Sequence, residues 1–136
     1  MTPQSYRAQN AYRQVQVESA SPEETVVLLF DGMVRFLHQA REAMSVGELE
    51  RQSNLIGRVQ RILTELTCAL DASADEALVV SLRCSYTAMY NRLVEANIKD
   101  DLAALDEVIG LAERFAAAWR TALENVTSDT QAAAAG

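Results

Sequence analysis

Apolar residues recur at alternating steps of three and four along most of this chain, which is the spacing of amphipathic helices. The first run starts at Ser21, where a serine N-cap, Pro22 at the first helical position and Glu24 three residues after the cap specify a helix start. Gly47 supplies its C-terminal stop. The apolar positions of this predicted helix are Val26, Phe30, Met33, Leu37, Ala40 and Met44.

Three more helices follow from the same rhythm. The second has its apolar positions at Leu49, Ile56, Val59, Leu63, Leu66 and Leu70. A short loop over residues 71–75 comes next, with Ser73 and Glu76 as a second capping box. The third helix carries Val79, Leu82, Tyr86, Met89, Leu93 and Ala96. After a tight turn predicted at Asn97–Asp100, the fourth carries Leu102, Leu105, Ile109, Ala112, Ala116, Trp119 and Leu123.

The four predicted helices are similar in length and joined by short connections, so helices that follow each other must run antiparallel. We therefore predict an all-α fold, an antiparallel up-and-down four-helix bundle, over residues 21–126. Residues 1–20 hold scattered apolar groups with no sustained period, which predicts a flexible N-terminal arm. Residues 127–136 are polar and then alanine-rich, and we expect a disordered tail there.

Composition narrows the classes of protein to consider. The 136 residues are 49% hydrophobic, which suits one globular domain, and the formal net charge of −7 argues against nucleic acid or an anionic membrane as the main partner. No apolar run is long enough to span a membrane and no secretory signal is visible, so we expect a cytoplasmic protein. The two cysteines, Cys68 and Cys84, are expected to be buried small side chains rather than a disulfide.

No catalytic, metal or cofactor motif accompanies this pattern, and we expect a protein that is not an enzyme. The one alternative with chemistry is a histidine phosphotransfer domain, because Arg41 follows the single histidine, His38, by three residues. In that class the next residue is generally a glycine. Here it is Glu42, whose charge would oppose a phosphoryl group. A plain surface histidine is the better interpretation.

The apolar faces are wider than the helical rhythm requires. The additional residues are Leu55 and Ile62 on the second helix, Leu78, Val80, Tyr90 and Val94 on the third, and Val108, Leu111 and Phe115 on the fourth. Wide faces fill a large core, and they also fit a protein that receives a partner helix in a groove. From helical-wheel positions we assign Leu55, Ile62, Tyr90 and Val94 to such a groove, with core packing or a dimer face as the alternatives.

Several strings along the chain carry a family resemblance. They are Asn10-Ala11-Tyr12, Ser21-Pro22-Glu23-Glu24, Leu29-Phe30-Asp31-Gly32, Arg35-Phe36-Leu37, the segment from Arg92 to Ile98 followed by Asp100, and Trp119. Their order and spacing resemble the flagellar export chaperones of the FliS type over about residues 10–124. Each string is weak alone, and the specificity lies in their arrangement.

The resemblance implies a function. Proteins of this type bind the disordered C-terminal segment of flagellin in the cytosol, which prevents premature polymerisation and keeps flagellin competent for flagellar type III secretion. It also implies that Asn10, Ala11 and Tyr12 cover the groove when cargo is absent, and we place Val15 and Val17 in the same arm by their position. The export apparatus or other flagellar regulators are further partners to consider, as is a homodimer. A self-associating helical scaffold is the alternative function.

Overall fold

The computed structural model describes residues 21–70 and 75–135, which form four α-helices and, within those ranges, no strand. The helices are α1 (Pro22–Val46), α2 (Leu49–Cys68), α3 (Glu76–Lys99) and α4 (Leu102–Ala135). Each helix packs against the next one in sequence, and α4 packs back against α1. This ring of antiparallel neighbours is the up-and-down four-helix bundle that the hydrophobic pattern predicted.

The first helix begins and ends as its sequence specifies. The Ser21 hydroxyl accepts a hydrogen bond from the backbone N–H of Glu24 at 3.1 Å, and Pro22 takes the first helical position, where no N–H is needed. Gly47 ends the helix in the left-handed region, with a φ of 78°. Its N–H bonds to carbonyls of the last turn, so this connection is only two residues long.

The third helix begins and ends differently from the prediction. Asp75 caps it, with its carboxylate accepting from the N–H groups of Ala77 and Leu78, whereas the predicted cap Ser73 lies outside the described residues. At the other end, the helix continues through Asn97, which was expected in the turn, to Lys99. The reversal occurs at Asp100, in the left-handed region with a φ of 51°. Aspartate tolerates that conformation better than most residues do.

The fourth helix is longer than predicted. It runs to Ala135, so residues 127–135 are helical where a disordered tail was expected. No glycine or proline occurs between residues 111 and 135, and alanine has the highest helix propensity, which accounts for the continuation. These nine residues are fully on the surface and add nothing to the core. None of the four helices is long and apolar enough to cross a membrane.

One core runs along the bundle axis, and every helix contributes to it. Its largest fully buried side chains include Phe30, Met33, Leu37, Ile56, Leu63, Tyr86, Met89, Leu93 and Leu105. An aromatic cluster lies within it: the rings of Phe30 and Phe115 stack with centroids 5.7 Å apart, and Tyr86 lies 6.0 Å from Phe30 and 5.7 Å from Phe115. Offset and edge-on rings at these distances add to the stability that burial provides.

Two predictions about burial need correction. Cys68 and Cys84 are both exposed, because Cys68 is the last residue of α2 and Cys84 points away from the core on α3. The opposite holds for Leu55 and Val108, which belonged to the surplus apolar faces and are buried at 6% and 0% exposure. A helix in this ring contacts two neighbours, so its buried face is wider than that of a helix lying on a single surface.

Candidate functional site

The third helix carries large apolar side chains beyond the face that it buries. It buries Val79, Tyr86, Met89, Leu93 and Ala96 in the core. On other sides it exposes Leu78, Val80, Tyr90, Val94 and Ile98, at 38% to 76% of their full area. At 100° per residue, Val80, Thr87, Tyr90, Val94 and Ile98 fall within an arc of about 80°, which we call the outer stripe; the exposed Arg83 lies in the same arc. Exposed apolar rows of this kind make this face of α3 a candidate binding surface.

The outer stripe borders an opening between α2 and α3. This opening has a volume of about 200 Å³ and is lined by Leu63, Thr64, Thr67 and Cys68 from α2 and by Tyr86, Thr87 and Tyr90 from α3. The hydroxyls of Thr64 and Thr67 donate to carbonyls of their own helix, at 3.0 and 2.8 Å. The hydroxyl donors of both threonines are therefore already used within α2. The opening can accept an apolar side chain without leaving these donors unpaired.

A larger cavity lies at the end of the bundle where α1 begins and α2 ends. Its volume is about 440 Å³, and its walls are mostly apolar: Pro22, Val26, Leu66, Leu70, Leu78, Val79, Leu82, Tyr86 and Trp119. Tyr86 lines both this cavity and the α2–α3 opening, so the two are adjacent. Burial raises the pKa of the Tyr86 hydroxyl, with an opposing effect of the Trp119 indole. Tyr86 is therefore neutral at physiological pH, as a largely apolar wall requires.

The four groove residues predicted from the sequence do not share one groove. Tyr90 and Val94 lie together on the outer stripe, next to the α2–α3 opening. Leu55 lies in the core and lines a groove on the other side of α2, facing α1. Ile62, two helical turns after Leu55, is on that same side and packs partly buried against the core.

Sequence reasoning assigned only Tyr90 and Val94 of the outer stripe to a groove, and missed Val80, Thr87 and Ile98. Ile98 was assigned to a turn, yet it is the most exposed large apolar residue of α3, at 76%. Val80 was recognised as surplus apolar surface but was not grouped with Tyr90 and Val94. The signal for this grouping is present in the sequence, because residues 80, 87, 94 and 98 follow seven- and four-residue steps along one helix face.

The predicted arm lies outside the described residues. Its members are Asn10, Ala11, Tyr12, Val15 and Val17. Their covering role therefore stays a prediction.

The single histidine lies in the seam between α1 and α4. His38 Nε2 is 2.9 Å from Glu113 Oε1, and the neighbouring Arg41 donates to Asp106 at 2.6 Å. The hydrogen bond from Arg41 is the main cause that holds the pKa of Asp106 below its ordinary value. Two carboxylates beside the imidazole would repel a phosphoryl group, which argues against phosphotransfer at His38. Within the described ranges, no three potential metal ligands are grouped closely enough to hold an ion.

Comparison with known families agrees with this architecture. Residues 4–126 match the family described as "Flagellar protein FliS". The chain belongs to the FliS family. The match covers the whole described bundle except the last part of α4. The outer stripe on α3 lies within the matched residues.

Individual relatives bear this out. Over 119 residues the chain is 34% identical to the flagellar secretion chaperone FliS of Bacillus subtilis, covering 88% of each protein. It is 33% identical to the protein of the same name from Salmonella typhimurium, covering 81% of this chain and 85% of the relative. The flagellar secretion chaperone FliSB of Pseudomonas aeruginosa is 35% identical, with 83% and 93% covered.

A solved structure supports the fold independently. A crystal structure of a bacterial flagellar chaperone superimposes on this FliS-family bundle with a TM-score of 0.72, covering 89% of this chain and 98% of the other. The two sequences are only 18% identical, so the likeness concerns the fold alone.

Proposed function

We propose that this protein is a flagellar secretion chaperone that binds the C-terminal segment of flagellin in the cytosol and keeps it unpolymerised until export. The observation that carries the proposal is the outer stripe of α3, an unpartnered apolar row next to the α2–α3 opening, in a bundle of the FliS family. Membership of a family whose relatives are named secretion chaperones supports the role.

Physically, the bound segment would form one or more amphipathic helices on the bundle surface. Its apolar side chains would cover Tyr90, Val94 and Ile98 and enter the opening bordered by Thr64 and Thr87. Burial of apolar surface drives the association, while the ordering of a disordered segment costs part of the gross interaction energy. A moderate net affinity suits a chaperone that must release its cargo to the export machinery. No nucleotide enters this scheme.

Residues 1–20 are part of the proposal as a separate arm that covers apolar surface when no cargo is bound. The cap of α1 is made by Ser21 and Glu24, which both belong to the described bundle, and this supports an independent bundle from residue 21 onward. Deletion of residues 1–17 should therefore leave the melting temperature nearly unchanged. A large drop would instead show that the segment belongs to the core.

The experiment that tests the proposal is calorimetric titration with the C-terminal segment of flagellin from the same organism, about 40 residues long. We expect one-to-one binding with a negative heat-capacity change, because apolar surface is buried. Tyr90→Asp, which places a charge on the outer stripe, should weaken binding by about tenfold or more. The matched control is Val126→Asp, which places the same charge on an exposed apolar residue near the far end of α4.

Other outcomes would replace the proposal. Equal affinity for Tyr90→Asp, Val126→Asp and the unaltered protein would remove the outer stripe as the binding surface. No binding at all by a correctly folded protein, together with a dimer in sedimentation that flagellin does not alter, would favour the self-associating scaffold. In that case the outer stripe would be covered by a second copy of the chain.

A further inference from the structure

Ion pairs between helices are concentrated on one side of this bundle. In the described residues, the pairs that join different helices are Arg120–Asp31, Arg41–Asp106, His38–Glu113 and Arg92–Glu107. All four involve α4. The neutralised charges thus follow the α1–α4 and α3–α4 seams. In the described residues, no ion pair joins α1 and α2.

Two arginines of the α1–α2 seam have no carboxylate within 4 Å in the described part of the chain. Arg35 belongs to α1 and Arg58 to α2, and both side chains are exposed. Their guanidinium carbons each lie 5.5 Å from the centre of the same ring, that of Phe36. The aromatic face attracts each cation and fixes its position. Two like charges held around one ring without a counterion make a favourable position for an anion.

A groove about 640 Å³ in volume lies along the two helices, and one arginine of the pair, Arg58, lines it. Its lining from the middle of the seam is Gln39, Asn54, Leu55 and Arg58. Farther along, at the start of α2, it is lined by Glu48, Leu49, Glu50 and Arg51, where Arg51 already contacts Glu48 at 3.4 Å. Those carboxylates lie about 12 Å or more along the helix from Arg58, so they leave the arginine pair uncompensated.

We propose that this α1–α2 groove is a second docking surface, which binds an acidic segment of another protein. Carboxylates of that segment would pair with Arg35 and Arg58, whose planar guanidinium groups match a carboxylate with two parallel N–H donors. The amides of Gln39 and Asn54 are placed to bond its backbone. Leu49, which is 57% exposed at the far end of the groove, would contact an apolar residue of the same segment.

The charge of the whole chain favours an acidic peptide over other polyanions. With a net charge of −7, the protein is repelled by an extended anionic surface such as a membrane or nucleic acid. A short segment in a groove meets mainly the local field of the arginine pair, because salt screens charges beyond about 8 Å. The groove thus selects a compact, locally acidic ligand.

The groove and the outer stripe lie on opposite sides of α2. Arg58 and Leu55 face α1, whereas Thr64 and Thr67 border the opening toward α3. An acidic partner and a ligand of the outer stripe can therefore bind at the same time. The inference does not depend on the identity of the cargo.

The test uses the full chain and a fluorescein-labelled peptide of about 15 residues, with glutamates at helical spacing around two leucines. Anisotropy is measured at low ionic strength, where exposed ion pairs contribute most. We expect saturable binding that the double variant Arg35→Gln/Arg58→Gln weakens by about fivefold or more. The peptide affinity of Arg35→Lys/Arg58→Lys should lie between those of the unaltered protein and the glutamine variant. Lysine keeps the positive charge but lacks the two parallel N–H donors of a guanidinium group.

The matched control is Arg83→Gln/Arg114→Gln, which removes the same charge from exposed arginines of α3 and α4 that also lack a carboxylate within 4 Å in the described residues. This control variant should change the affinity for the labelled peptide by less than twofold. A loss equal to that of the Arg35/Arg58 variant would show a general charge effect and overturn the proposal. So would the absence of saturable binding, or co-sedimentation of the protein with vesicles containing 30% anionic phospholipid that depends on Arg35 and Arg58. Tyr90→Asp should leave peptide binding unchanged, which separates this proposal from the flagellin site.

Discussion

The α4 side of the bundle and the outer face of α3 are built on different principles. Between α1 and α4, three ion pairs lie along a seam whose inner side chains, such as Leu37 and Val108, are completely buried. On the outer face of α3, Tyr90, Val94 and Ile98 are left in contact with solvent, and no ion pair among the described residues covers them. The seam between α1 and α4 is bridged by ion pairs, whereas the outer face of α3 presents apolar side chains to solvent.

This difference shows how a small bundle can hold its shape while it presents an apolar surface. Stability is supplied where α1 packs against α2 and α4, with the aromatic cluster around Phe30 in the middle. The third helix needs to bury only one of its faces to stay in place. Its other apolar residues can then serve binding without being required by the fold.

The strongest test of this comparison sets a core residue against a residue of the outer stripe. Phe30→Ala removes a ring that is fully buried and stacked on Phe115, and should lower the free energy of unfolding by about 3–5 kcal/mol. Tyr90→Ala should cost less than about 1 kcal/mol, since Tyr90 is 38% exposed. Urea denaturation measures both. Similar losses for the two variants would mean that the outer stripe is part of the core after all.

A second test concerns what fixes α3 at its C-terminal end. The Gln52 side chain of α2 is 1% exposed, and its Nε2 donates to Asn97 at 3.0 Å and to Asp100 at 2.9 Å. Gln52→Ala should destabilise the protein by about 1–3 kcal/mol, because two part-buried oxygens lose their donor. Ser53→Ala, which removes only an exposed 3.3 Å bond to Asn97, is the control. An effect of Gln52→Ala no larger than that of Ser53→Ala would rule out this anchor.

A third test examines the connection between α1 and α2. Gly47 has a φ of 78° and ends α1, so Gly47→Ala should cost about 1 kcal/mol of backbone strain. The control is Gly110→Ala within α4, where an added methyl meets no atom within 4 Å and higher helix propensity should stabilise by up to about 1 kcal/mol. Thermal unfolding should move in opposite directions for the two variants. A shift in the same direction would contradict the strained turn.

The smallest expected effect is the pH dependence of the ion pairs along α4. Hydrogen bonds from Arg41 and Arg92 are the main cause that holds the pKa values of Asp106 and Glu107 below their ordinary values of 3.8 and 4.5. A carboxylate with a lowered pKa stabilises the fold above its ordinary pKa, and this contribution is lost as the pH falls through its folded pKa. Stability should therefore decline below pH 4.5, modestly because these groups are exposed.

The matching variant is Arg41→Gln/Arg92→Gln, compared with the unaltered protein in urea at neutral and acid pH. Its stability should change less over the acid range, and added salt should reduce the difference between the two proteins. An unchanged pH profile in the variant would show that these pairs do not contribute to the acid dependence.

Much of the fold could be predicted from the sequence, because local chemistry specifies it. The cap at Ser21 and the stop at Gly47 lie where their residue types require, and the three-four rhythm located all four helices. The sequence could not show which sides of each helix are covered by neighbouring helices. Leu55 and Tyr90 both looked like surplus apolar residues, yet Leu55 is buried by the neighbouring α1 and Tyr90 has no such neighbour. Which sides of a helix are covered depends on tertiary packing.

Dependence on tertiary packing also explains other features of the structure that the sequence did not predict. Exposure of Cys68 and Cys84 depends on helix orientation, which the residue type does not fix. The start of α3 differs from the prediction because Asp75, which stands directly before the first helical residue, is itself a strong N-cap residue. The arginine pair around Phe36 was invisible in the sequence because Arg58 lies on a different helix from Arg35 and the ring.

The ring of helices also has a consequence for the kinetics of folding. Three of its four seams join helices that are consecutive in the chain, whereas the α1–α4 seam joins its two ends, with Asp31 and Arg120 separated by 89 positions. Consecutive hairpins of helices form early, and closing the distant seam carries the largest loop-entropy cost. The ion pairs of this seam should form after the rate-limiting step, so salt should speed unfolding more than it slows folding. The charges along α4 would then govern how long the bundle stays closed.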